Sequence, residues 1–223
     1  MPQMSLPSFE DWSLHSSGDL VTGMDLFRQE LMIIIDGTSL PIKTPENERI
    51  RTQMYVLYKH HHAWRYLVAV LPTGRIVFVS ELQEGKILDS DRYNRSGLRT
   101  LLNNTYPPEH CPQGWKFCLV GDKGYIFLVP PEGWDLLLTK SGEQELRASK
   151  DGQTSAPSSG DPALGGSFVR RFEMAIAPVR SVVERSISLI KRWPRISQPC
   201  STFKRGDRML SSIVLIASAY ANH

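Results

Sequence analysis

A chain of 223 residues, 41% hydrophobic and 22% charged, is long and apolar enough to bury a sizeable core, which excludes a wholly disordered segment. Its net charge of +3 is too small to announce a nucleic-acid partner, but the charge is unevenly spread: from Phe168 to Arg208, ten Lys or Arg stand against Glu173, Glu184 and Asp207. A basic stretch of this kind suits phosphate neutralisation, and equally a plain solvated surface. The longest apolar runs, 31–35 and 213–221, fall far short of a membrane span, and the first residues carry no secretory pattern. Cys111, Cys118 and Cys200 are odd in number and form no CxxC, which argues against a disulfide framework or zinc site and for a reducing compartment.

Taken in chain order, residues 1–30 read as a polar N-terminal extension with one short helix over 25–31. From Met32 the β-branched MIIID predicts a strand ending at Asp36-Gly37, and Thr52–Tyr58 predicts a second. Trp64–Leu71 and Arg75–Ser80 flank Pro72-Thr73-Gly74 and predict a hairpin. Residues 89–104 read as one helix, capped at Asp89 or Ser90, with Leu98, Leu101 and Leu102 facing inward. Trp115–Val120 is apolar throughout, hence a central strand, and Leu136–Thr139 is a short one.

Residues 141–166, rich in Gly, Ser, Pro and Ala, predict a flexible insert. Beyond it Phe172, Ile176, Val179, Val183, Ile187 and Ile190 recur every three or four residues, the stripe of a packed helix. Pro178 suits its first turn or a kink, Pro194 stops it, and a last helix covers Asp207–Tyr220. Strands, helix, central strand, insert and helix make an α/β fold with a mixed sheet, compatible with a ribonuclease-H-like architecture.

Three carboxylates stand where rigid elements could hold them: Asp36 at the end of the first strand, Asp122 at the end of the central one, and Glu184 on the basic helix. Phosphodiester cleavage needs an activated water or hydroxyl and a stabilised leaving oxygen, which two divalent ions supply. Mg²⁺ takes hard oxygen ligands and keeps several waters, so few carboxylates suffice. Singly, each residue has a plainer reading: Asp before Gly is usually a turn residue, and a helical Glu usually meets solvent. Glu184 lies in line with Arg180 and Lys191, so one helical face could present a metal-binding acid between phosphate-binding cations. His60-His61-His62 reads as a turn or exposed run; Asp89 and Asp91 read as helix-start residues, with Asp89 able to join the acidic cluster. No phosphate-binding glycine loop and no nucleophile with an assignable base is present.

The motifs IDGTSLPI, YLVAVLPTGRIVFVS, EGKILDSDRYNRSGL, LVGDKGY and RFEMAIAPVRSVVERSISLIKRW occur in that order. Over residues 31–220 the chain thereby resembles the DDE endonuclease domain of PIF/Harbinger-type transposases. The resemblance implies Asp36, Asp122 and Glu184 as a catalytic, metal-binding triad, two Mg²⁺ or Mn²⁺ ions, and DNA ends cleaved and then transferred. Arg180, Lys191 and Lys123 would contact DNA, in a nucleus if the source is eukaryotic and in the cytoplasm otherwise. The chain departs from the family pattern at Leu88, where a His is common, and at Glu173, Ala177 and Ser188, where Asn, Ser and Gly are usual. The 35 residues before Asp36 do not accommodate a helix-turn-helix, which implies a separate DNA-binding protein partner or a shortened chain, with homo-oligomerisation left open. The alternative is a domesticated, catalytically inactive module that binds DNA or protein.

Overall fold

The computed structural model describes residues 6, 8, 30–139, 180–193, 196, 206–220 and 222. The predicted insert 141–166, Pro178, Pro194, and the apolar positions Phe172, Ile176 and Val179 lie outside the described residues, as does most of the N-terminal extension.

Strand β1 (Glu30–Pro41) is the hub of the sheet. Its run of β-branched residues is stiff at χ1 and packs well on a pleated surface buried on both faces. It pairs antiparallel with β3 (His61–Val70) on one side and parallel with β5 (Lys116–Asp122) on the other. Beyond β5 lies β6 (Trp134–Thr139), again parallel. Beyond β3 lie β2 (Tyr55–Val56) at one end and β4 (Ile76–Val79) at the other. The order is β2-β3-β1-β5-β6, with β4 on β3: a mixed sheet flanked by helices, the α/β layering expected from sequence.

Strand alternation gives the sheet two cores. On one face Met32, Ile34, Val68, Val70, Cys118 and Val120 meet Val183, Ile187 and Ile190 of the helix over residues 180–191 (α4), with Val214 and Ala217 of α5 (Gly206–Tyr220). On the other, Ile33, Ile35, Leu67, Ala69, Phe117 and Leu119 meet Tyr93 of α2 (Asp89–Arg95) and Leu98 and Leu102 of α3 (Leu98–Thr105). Near the C-terminus the Asn222 side chain accepts from Ile76 N–H at 2.7 Å and donates to Ile76 C=O at 2.9 Å, holding the edge strand β4. Among the described residues no helix is long and apolar enough to cross a membrane, and Cys111 and Cys118 are free thiols.

Several sequence expectations need correction. Glu30 and Leu31, read as the end of a helix, begin β1, because parallel pairing with Lys116 and Phe117 takes them into the sheet. Thr52–Tyr58 is not a strand: α1 (Glu48–Met54) occupies its start, β2 is two residues long, and a 3-10 turn follows at Leu57–Lys59. Asn47 explains the helix, since its side chain accepts from Ile50 N–H at 3.2 Å, while the Thr52 hydroxyl bonds back to Glu48 C=O. The single helix over 89–104 is two, broken at Ser96-Gly97, where Gly97 takes φ +80 and the Ser96 hydroxyl bonds Tyr93 C=O. Leu88, rather than Asp89 or Ser90, occupies the N-cap position of α2, and Leu101 is only half-buried. The predicted hairpin is present, and α4 braces its turn through a 2.9 Å bond from the Ser186 hydroxyl to Gly74 C=O.

Candidate functional site

The alternation that places Met32 and Ile34 toward α4 carries on to Asp36, and the alternation of Cys118 and Val120 carries on to Asp122. Because β1 and β5 run parallel with Ile34 beside Val120, continuing the register by two residues brings Asp36 level with Asp122. Neighbouring strands are about 4.8 Å apart, so the sheet holds two carboxylates side by side, at strand ends, on the face that α4 covers.

Electrostatics bear out that proximity. Burial, then the neighbouring Asp122 charge, raises the Asp36 pKa from 3.8 to about 6, against a 2.7 Å hydrogen bond from Gly37 N–H and the charge of Arg180. Asp122 is raised too, by burial first, with Asp89 adding to the rise; Gly124 N–H at 2.8 Å, Arg180 and Arg65 oppose it. Lys191 is pulled down by burial and partly restored by the charge of Asp36, which places this lysine near Asp36.

A third carboxylate reaches the site from the other side of the sheet. Asp89, the first residue of α2, receives Arg65 Nη2 at 2.7 Å and a short bond from Arg92 Nη1 on the same oxygen. Both arginines are almost wholly buried. The other oxygen, Oδ2, looks toward Asp122: a Cβ placed on Gly124 would lie 3.1 Å from it and 2.9 Å from Asp122 Oδ1. Ser90 fixes this approach by donating to Gly124 C=O at 2.8 Å. Gly37 is equally crowded, since a Cβ there would come within 2.6 Å of Arg92 Nη1 and 2.7 Å of Asp89 Oδ1. Only glycine fits at either position without displacing this ion-pair cluster. The Tyr125 hydroxyl, buried and without a hydrogen-bond partner, also points at Gly37.

Of the residues singled out from sequence, Asp36, Asp122, Arg180 and Lys191 come together. Glu184 is 53% exposed and reaches this group through its 3.2 Å pair with Arg180. Lys123, in the 3-10 turn Lys123–Tyr125 after β5, is exposed beside Asp122. Among the described residues no group of three His, Cys, Asp or Glu side chains gathers closely enough to hold a metal; Glu184 pairs with Arg180, and Asp89 with Arg65 and Arg92. Arg65, Arg92 and Tyr125 were not picked out as site residues. Arg65 had a readable signal, as a lone cation inside the apolar run WRYLVAVL, and Arg92 sits one helical turn after Asp89.

The site thus sets paired, partly desolvated carboxylates at the ends of adjacent strands beneath a helix bearing cations, the kinds of groups that hard cations and phosphates respectively prefer. Residues 35–222 match the DDE superfamily endonuclease family, and the chain belongs to it. The catalytic domain of the Mos1 mariner transposase is similar over 81% of this chain and 93% of its own length, at 11% identity and a TM-score of 0.35, a likeness too remote to carry weight. No curated protein matches the chain.

Proposed function

We propose that this domain is a metal-dependent DNA endonuclease of the transposase type, cleaving phosphodiester bonds at DNA ends and transferring the strand. The observation that carries the reading is the pairing of Asp36 and Asp122, two carboxylates in register, both raised in pKa by burial, with the Asp122 charge raising Asp36 further. A pair so strained by like charge and burial fits a divalent ion, which relieves both terms. When bound, Mg²⁺ or Mn²⁺, in one or two copies, supplies Lewis acidity at the reacting phosphate.

The chain's own residues do the rest. Asp36 and Asp122 hold the cation site, each oriented by one backbone N–H. Glu184, one ion pair away through Arg180, is the third ligand in this reading, freed when Arg180 turns to a phosphate. Lys191 and Lys123 hold the DNA backbone on either side. Asp89 with Arg65 and Arg92 keeps the Asp122 turn in place. The ordered motifs support the PIF/Harbinger branch, and with it a nuclear location if the source is eukaryotic.

Nicking of supercoiled plasmid with Mg²⁺ or Mn²⁺ tests this. Asp36→Ala, Asp122→Ala and Glu184→Ala should each abolish it while thermal unfolding stays cooperative. Wild-type cleavage by Asp122→Ala would overturn the assignment. One observation favours a second reading, a non-catalytic DNA- or protein-binding module: Glu184 pairs with Arg180, and among the described residues no three acids form a metal-holding group.

A further inference from the structure

Beside the carboxylates, on the side of α1 and the 3-10 turn Leu57–Lys59, lies a groove of about 990 Å³ lined by Arg51, Tyr55, Tyr58, His62, Arg65 and Lys86 among others. It shares Arg65 and Asp89 with the site already described. Tyr55 and Tyr58 give it aromatic faces, and Arg51 and Lys86 are its exposed cations. Tyr58 is 60% exposed, with the Arg65 guanidinium 5.2 Å from its ring centroid, and Tyr55 packs tilted on His62 at 5.3 Å. Leu57 and Leu88 are exposed nearby at 76% and 65%. Asp89 is the acid among the lining residues, and its charge is already met by Arg65 and Arg92.

We infer that this groove binds an unpaired stretch of DNA next to the cleavage site, stacking a base on Tyr58 while Arg51 and Lys86 meet the backbone. This rests on the nuclease reading above. The exposed cations Arg51 and Lys86 select a polyanion, and the exposed Tyr58 ring selects single-stranded over duplex DNA, whose bases are already stacked on one another. The volume lies at the upper end of small-ligand pockets, room for one or two nucleotides. Aromatic platforms flanked by cations bind single strands in this way, with little sequence preference because every base has a π-face. The groove also gives His60 and His62 a place: His62 on β3 and His60, the left-handed residue that ends the 3-10 turn, both line it, while His61 Nδ1 bonds Lys59 C=O.

The test uses the full chain in EDTA and a duplex oligodeoxynucleotide carrying a short single-stranded tail with 2-aminopurine, alongside the blunt duplex. Wild type should bind the tailed duplex more tightly and quench the 2-aminopurine. Tyr58→Ala should weaken tailed binding by about tenfold, the loss of one stacked base, and abolish quenching. Tyr58→Phe should behave as wild type, and Lys86→Ala should weaken binding while keeping the quench. If Tyr58→Ala matches wild type in affinity and quench, the inference is overturned, although plasmid nicking by wild type would leave the nuclease reading intact. Conversely, Tyr58-dependent quenching in a protein that fails to nick plasmid with either Mg²⁺ or Mn²⁺ would uphold the groove and remove the nuclease.

Discussion

Asp36→Asn removes a charge that the fold disfavours, and the expected gain follows from the site. Asp36 titrates at about 6 in the folded protein against 3.8 ordinarily. The folded state therefore holds this proton more tightly than the unfolded chain. The advantage is complete below pH 3.8 and is lost as pH rises through about 6. Above that, the ionised carboxylate costs roughly 3 kcal/mol at 1.36 kcal/mol per pKa unit. Asparagine carries no such charge and keeps an Oδ1 to accept from Gly37 N–H. In EDTA at pH 7.5, Asp36→Asn should melt about 6–12 °C above wild type, taking 2–4 °C per kcal/mol for a chain of this size. The difference should vanish near pH 4. Saturating Mn²⁺ should then stabilise wild type, by about 2.7 kcal/mol at a hundredfold excess over Kd, and leave the variant unmoved. Differential scanning calorimetry across pH, with and without Mn²⁺, reads both. Equal melting at pH 7.5 without metal would refute the reasoning, as would equal Mn²⁺ stabilisation of the two proteins.

Glu184→Gln should change stability by less than about 0.5 kcal/mol in urea denaturation, because an exposed i,i+4 pair with Arg180 contributes little. The same variant should lose nicking, which separates a role in the site from a role in the fold. Arg92→Met should cost about 3–5 kcal/mol by the same denaturation, since it strips a buried partner from Asp89 and a 2.8 Å bond from Ile87 C=O.

The sheet was legible where residue chemistry is local. The β-branched run of β1, the turn residues of the hairpin, and the stripe Val183, Ile187, Ile190 each report their own environment. The errors arose where a few polar contacts decide the backbone: Asn47 capping a helix over an apparently strand-like TQM, and Gly97 splitting an otherwise continuous helix. The pairing of Asp36 with Asp122 needed β1 and β5 to be parallel neighbours in a particular register, which no single stretch encodes. Order along the chain, read through family resemblance, pointed to both residues before the register placed them together. The Arg65–Asp89–Arg92 cluster was invisible for a related reason. Buried arginines look like surface arginines in a sequence, and only β3 meeting α2 buries them.

Calorimetric titration of Mn²⁺ into the metal-free protein, with Asp36→Ala and Asp122→Ala measured beside it, bears most directly on whether the two aspartates form a cation site. Wild type should give a saturable binding heat that both variants lose. The same isotherm from all three proteins would contradict it.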